Sequence, residues 1–308
     1  MEVTLITSMK KPRVRTAVAL AGLLMAVAIG GLVARVAASR FFREVSAVPD
    51  VQVHLPADRL FTVLGIPVTN TLLSCWLATM LVIVLLGAAR WRARLVPRGL
   101  QNAVETLLDW LLEFVIGIAG KDRAPRLFAI SATFFLFILA NALVALLPFY
   151  GPLVAVLKGG SEVPLLRGAG SDINMPLALA IAAGVVVEAS GLAALRASYF
   201  RRFFRVRDLL RGRLMIGLAD LFAGFLEAGT ELFRVFSFSF RLFGSLTAGE
   251  ILIVVASFLA PLILPVPFYG LELLIAVVQA WIFASLTVVF AVHAMTPEAP
   301  ALPEAEDA

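Results

Sequence analysis

Ser237-Phe-Ser-Phe-Arg241-Leu-Phe-Gly-Ser245-Leu-Thr-Ala-Gly-Glu250 places an arginine in the middle of the longest apolar run of a 308-residue chain. A charge at bilayer depth costs from about 2.5 to over 10 kcal/mol, depending on how far it reaches water. A guanidinium does not escape that cost by losing its proton. Either Arg241 lies outside a membrane, or its charge is needed within one.

The rest of the chain favours the second alternative. Hydrophobic residues make up 61% of it and the mean hydropathy is +0.96. Soluble domains lie near 45–50% apolar, so the composition is that of a polytopic membrane protein. The net charge of +5 comes from arginine clusters in loops, which read as topology signals and not as a nucleic-acid footprint. Cys75 is the single cysteine, so no intramolecular disulfide forms. His54 and His293 are too far apart in sequence to suggest a metal cluster. There is no phosphate loop, nucleophile elbow or dinucleotide fingerprint. Catalysis on a bound substrate is therefore not expected of this chain alone, and no cofactor is implied.

Charge places the segments. Lys10, Lys11, Arg13 and Arg15 precede an apolar run from Ala17 to Ala34. This run (about 16–38) is either an extra N-terminal span or the apolar core of a signal peptide cleaved near Val36-Ala-Ala38. The basic flank puts the N-terminus in the cytoplasm and residues 40–69 outside. Thr71 to Ala89 is the next span, closed on the cytoplasmic side by Arg90, Arg92, Arg94 and Arg98. Over 98–118, Arg98, Gln101, Asn102, Glu105, Asp109 and Glu113 share one side of a helix, with Leu and Phe filling the other. That pattern predicts an amphipathic helix along the cytoplasmic interface, or a surface helix packed on a partner. Leu127 to Pro148 goes outward, and the glycine-rich stretch up to Asp172 is expected to be irregular. Pro176 to Leu195 returns, carrying Glu188, and meets the densest positive-inside signal, Arg196 to Arg213. Leu214 to Ala260 follows. After Pro261, Pro265, Pro267 and Gly270 comes a last span over 271–295. The tail over 296–308 is acidic and reads as disordered.

Leu214 to Ala260 is the anomaly. A helix of that length is about 70 Å long at about 1.5 Å per residue, against a hydrocarbon core of about 30 Å. No proline breaks it, so an upright span requires that much of it protrude; a helix that stays within the core must tilt by roughly 65°, far beyond the usual ~20°. The expectation is a strongly tilted hairpin of about 214–260 and 271–295. On its first helix Glu227, Arg234 and Arg241 are seven apart and share a face, with Ser237 and Ser245 one turn to either side of Arg241. Glu250 comes nine positions later, about 180° round and about 13 Å further along. It points toward whatever packs behind, where Glu272 and Gln279, again seven apart, share a face of the next helix. Intramembrane carboxylates usually mark ion paths, because burial brings their titration into a usable range. For Glu227, Glu231 and Arg234 the alternative is a salt-bridged patch at the cytoplasmic surface. Glu188 has no matched partner in sequence, and a buried hydrogen-bonded glutamate accounts for it as well as a functional one.

Ser239-Phe-Arg-Leu-Phe-Gly-Ser-Leu-Thr-Ala-Gly-Glu-Ile251 resembles the arginine motif of subunit a of the F-type rotary ATP synthase. Further matches follow in order: Ile66-Pro-Val-Thr-Asn-Thr-Leu72, Val96-Pro-Arg-Gly-Leu-Gln-Asn102, Asn141-Ala-Leu-Val-Ala-Leu-Leu-Pro148, Asp172-Ile-Asn174 and Gln279-Ala-Trp-Ile-Phe283. The resemblance covers about residues 60–295 of a single membrane domain, leaving 1–59 as an N-terminal extension. It implies a proton-conducting stator with two half-channels held against a ring of c subunits, in a complex that also contains b-type peripheral-stalk subunits. The setting it implies is the bacterial inner membrane, with the C-terminus in the cytoplasm. Arg241 would face the ring, keep each passing carboxylate deprotonated and separate the half-channels. Glu250 and Glu272 would line the outer half-channel, with Gln279 close to the arginine and Glu227 on the cytoplasmic exit. Asp172, Asn174, Ser237, Arg234 and Glu188 rank behind these. Two positions depart from the family pattern. Ser245 stands where the family has asparagine, and Arg234-Val235 where it has a basic residue followed by proline.

A secondary transporter with a midplane ion site is the alternative from another class. Such folds show inverted repeats and broken helices at matching positions. No internal repeat is visible here, and the long helix is unbroken. A purely structural scaffold leaves the mid-helix arginine without a reason.

Overall fold

The structure is a computed structural model that describes residues 57–63, 65–91, 93–147, 154–156, 162–164, 166–203, 214–259 and 264–296. The expected N-terminal span or signal segment, His54, most of the second arginine cluster, Pro261 and the acidic tail lie outside the described residues. The described residues form six α-helices, Asn70–Trp91 (α1), Leu100–Ala119 (α2), Ala124–Ala145 (α3), Asn174–Leu195 (α4), Leu214–Leu259 (α5) and Pro265–Ala294 (α6). Among the described residues five of them, all but α2, are long and apolar enough to cross a membrane. The molecule is an all-α membrane protein in its spanning part.

Among the described residues, four short strands stand beside the helices. Arg59–Val63 (β1) pairs antiparallel with Ile66–Thr69 (β2) around Gly65, whose φ of 84° suits a residue without a side chain. Val154–Val156 (β3) pairs with Glu162–Pro164 (β4). The stretch expected to be irregular thus contains a small hairpin. Its glycines lie outside these two valine-bearing strands, and β-branched residues suit extended pairing. The buried amide of Asn70 ties the pieces together. Its Oδ1 accepts from the backbone N–H groups of Asp58 (3.3 Å) and Thr71 (2.9 Å), and its Nδ2 donates to the Pro164 carbonyl (3.2 Å).

Two helices begin earlier than the sequence suggests. The last one starts at Pro265, not near 271, and α3 starts at Ala124, not 127. In both, proline occupies the first turn, where backbone N–H groups have no intrahelical acceptor and a fixed φ is already helical. The prolines therefore open these helices. In α2, Glu105, Asp109 and Glu113 are exposed, while Leu111 and Val115 are buried within the chain. Trp110 of α2 stacks on Trp281 of α6 at 4.3 Å, and Phe114 lies 4.0 Å from the same ring. The apolar face of the amphipathic helix is thus covered by α3 and α6.

The core lies where α3, α4, α5 and α6 meet. α5 is unbroken over 46 residues, about 69 Å at about 1.5 Å per residue, more than twice the thickness of a hydrocarbon core of about 30 Å. It runs antiparallel to α6. The Phe238 ring meets Phe283 at 5.1 Å, and a Cβ on Gly249 would lie 3.3–3.5 Å from the Glu272 side chain. Both contacts belong to one register, which brings Arg241 level with Ala280, next to Gln279.

Candidate functional site

Phe238, Leu242, Leu246, Ile253 and Ala256 of α5 recur at three- and four-residue spacing and are buried, the pattern of a helix packed along one stripe. The opposite stripe is uncovered from end to end, with Phe222, Phe225, Phe233, Phe240, Leu252 and Val255 exposed. Arg241 lies on the uncovered side. Its guanidinium carbon stands 5.8 Å from the Phe238 ring, and among the described residues no carboxylate pairs with it. Gly244 and Ala248, exposed on the same side, leave open space beside it; nothing lies within 4 Å of a Cβ built on Gly244. Ser237 is exposed. Ser245 is half-buried and donates back to the Leu242 carbonyl at 3.2 Å.

Toward the Leu259 end, the packing brings the two predicted acids together. Glu272 lies over Gly249, and Glu250 is the next residue along α5. Sequence reasoning missed their basic neighbour. Arg167, from the loop before α4, is buried, and its Nε lies 3.8 Å from Glu250 Oε1. The loop reaches that position because a 3-10 turn, Ala169–Ser171, presses against α5. A Cβ on Gly170 would fall 2.1 Å from Leu246 Cδ1, so only glycine permits the approach. The Arg167 backbone N–H donates to Ser74 Oγ (3.3 Å), which itself donates to the Asn70 carbonyl (3.1 Å). Asp172 accepts from Thr71 Oγ1 at 2.8 Å and from the Asn174 side chain at 2.8 Å. Asp172 and Asn174 therefore fix the loop to α1 and do not approach Arg241. The available signal for Arg167 was the one arginine between the helices that end at Ala145 and begin at Asn174.

Toward the Leu214 end, Arg234 pairs with Glu231 at 2.5 Å, one turn back on its own helix. Its guanidinium carbon also lies 4.1 Å from the centre of the Phe290 ring. The Glu231–Arg234 pair of the alternative salt-bridged patch is thus formed. Glu227 is half-buried one turn further down. Glu188 accepts a 2.7 Å hydrogen bond from the Tyr199 hydroxyl, a partner that sequence spacing did not reveal. Gln279 is half-buried on α6 at the level of Arg241.

These features define a multi-pass helical membrane protein with an arginine on the open face of its longest apolar helix and carboxylates displaced toward both ends of that helix. The family model of the ATP synthase A chain matches residues 72–292. A curated ATP synthase subunit a of Moorella thermoacetica is 27% identical over 241 residues, covering 77% of this chain and 95% of its own length. That of Citrifermentans bemidjiense is 28% identical over 215 residues, covering 70% and 82%. The chain belongs to the ATP synthase subunit a family.

Proposed function

We propose that this chain is the proton-channel stator of an F-type ATP synthase, with Arg241 as the barrier between two half-channels and a ring of c subunits covering the open face of α5. One observation carries the reading: Arg241, with no carboxylate partner among the described residues, sits on the uncovered stripe of a helix whose other stripe is packed from Phe238 to Ala256. In an isolated chain that charge would face lipid at a cost of several kcal/mol. A partner helix carrying a carboxylate removes the cost, and Gly244 and Ala248 let its backbone come close.

The chemistry follows from charge. A fixed, non-titrating cation favours the ionised form of a nearby carboxylate and repels a free proton. A ring carboxylate arriving at Arg241 therefore gives up its proton and passes the barrier charged. Glu250 and Glu272 form the outer path, Glu227 lies on the cytoplasmic path, and Gln279 and Ser245 flank the barrier. The chain itself makes no covalent bond to a substrate. It sits in the bacterial inner membrane with its C-terminus in the cytoplasm, beside b-type stalk subunits.

Arg241→Ala is expected to abolish both ATP synthesis and ATP-driven proton pumping in inverted vesicles, with the complex still assembled. Pumping near the parent rate would overturn the mechanism.

A further inference from the structure

Between α4 and α5 lies a cleft of about 410 Å³ that the arginine mechanism does not use. Most of its lining is apolar, but three charged side chains enter it: Glu188, Glu231 and Arg234. Its volume has room for on the order of ten water molecules. Phe238 lines the cleft at one end, and the same ring stands 5.8 Å from the Arg241 guanidinium. The cleft thus stops one aromatic ring short of Arg241, on the side of α5 that leads to Leu214.

The setting of Glu188 is specific. Tyr199, from the 3-10 segment Arg196–Arg202, is almost wholly buried and donates to Glu188 Oε2. Gly191 holds the tyrosine there, because a Cβ at that position would lie 2.4 Å from the ring. The other oxygen, Oε1, is buried and has no hydrogen-bond partner among the described residues. Most buried side-chain acceptors are hydrogen-bonded, and this one lies beside a cleft with room for water to serve as its partner. Facing it across the cleft are Glu231 and Arg234 of α5, paired with each other, while α6 contributes the Phe290 ring under Arg234.

We propose that this cleft is the water-filled approach to Arg241 from the cytoplasmic side, and that Glu188 is a proton-carrying residue within it, held in place by Tyr199. The inference rests on the stator reading and adds a residue to it. In the synthesis direction, a proton released beside Arg241 travels through cleft water to Glu188 Oε1 and forms an O–H bond there. That bond breaks as the proton passes to cytoplasmic water. One proton enters and one leaves, and the Tyr199 O–H stays donated to Oε2 throughout. Tyr199 is a positioning residue.

Glu188→Gln separates carrying from packing, since the amide oxygen still accepts from Tyr199 but the side chain no longer binds an exchangeable proton. In inverted vesicles containing the whole complex, Glu188→Gln is expected to lower ATP-driven pumping about fivefold or more at unchanged complex content. Glu188→Asp should recover much of that loss, and Tyr199→Phe should give a smaller one. Wild-type pumping by Glu188→Gln overturns the proposal, as does failure of that variant to assemble, which would make the carboxylate a folding requirement. A second measurement tests the water. Ala183 lines the cleft and is buried, so silver ion added from the cytoplasmic side should block Ala183→Cys while sparing the parent, which has only Cys75. Insensitivity of Ala183→Cys overturns the wet cleft. Normal pumping by Arg241→Ala would sink the stator reading itself, whereas an inactive Arg241→Ala beside a fully active Glu188→Gln would sink only this inference.

Discussion

On one side of Arg241, toward Leu259, α5 is covered by a loop and by the start of α6. The Ala169–Ser171 turn lies on Leu246, Arg167 reaches Glu250, and Glu272 lies on Gly249. On the other side, toward Leu214, the neighbours stand off. A cleft opens beside Glu231 and Arg234, and phenylalanines 222, 225 and 233 are exposed. On the covered side Arg167, Glu250 and Glu272 lie under a loop and the start of α6, whereas on the open side Glu188 and the Glu231–Arg234 pair border a volume that water can fill. The two proposed half-paths therefore differ in kind. In the proposed mechanism, transfer on the covered side depends on the carboxylates themselves, and on the open side water shares the work.

The sharpest way to break this contrast is to remove the carboxylates of the covered side. Glu250→Gln should slow proton flux by about tenfold, equivalent to about 1.4 kcal/mol on the limiting transfer, without preventing assembly. Glu272→Gln should act in the same direction. Because the two groups serve one path through adjoining positions, the double variant should lose less than the product of the single losses. Proton pumping in inverted vesicles measures all three. If both single variants conduct like the parent, the covered side is not the outer path.

Much of this arrangement is visible in the sequence. Seven-residue spacing placed Glu227, Arg234 and Arg241 on one face, and two long apolar runs parted by a proline cluster marked the hairpin. The antiparallel register that brings Glu272 beside Glu250 follows from folding that hairpin. Arg167 was not legible, because its position depends on a glycine contact between a loop and a helix far apart in sequence. Tyr199 was hidden for a similar reason. Its bond to Glu188 spans a helix end and a 3-10 turn, where no simple periodicity applies. The early start of α6 was obscured by reading Pro265 and Pro267 as breakers, though the same residues are favoured at a helix entrance.

The covered side should also be intolerant of added volume. An alanine methyl at Gly170 would fall 2.1 Å from Leu246 Cδ1 and 3.0 Å from its Cβ. Gly170→Ala should therefore destabilise the protein by about 1–3 kcal/mol, the usual cost of overpacking. Leu246→Ala alone leaves a cavity, but in the Gly170→Ala background it also removes the clash, so the pair should cost less than the sum. Gly229 offers the control on the open side, since nothing lies within 4 Å of a Cβ built there. Gly229→Ala should leave thermal stability unchanged or raise it by up to about 1 kcal/mol, through helix propensity. Thermal denaturation of the purified complex distinguishes these cases. A Gly170→Ala variant as stable as the parent would mean that the turn does not bear on α5 as described.

The smallest effect is expected at the boundary itself. Ser245 stands where the family motif has asparagine, which suggests a role in the path. Its hydroxyl, however, is turned back to the Leu242 carbonyl of its own helix, a local bond that competes with outward contacts. Ser245→Ala should therefore change proton flux by less than about twofold, or about 0.4 kcal/mol, and Ser245→Asn should change it no more. A large loss in Ser245→Ala would show that the hydroxyl swings outward during turnover. The chain of direct polar contacts that marks the covered side would then continue past Glu250 to within one turn of Arg241.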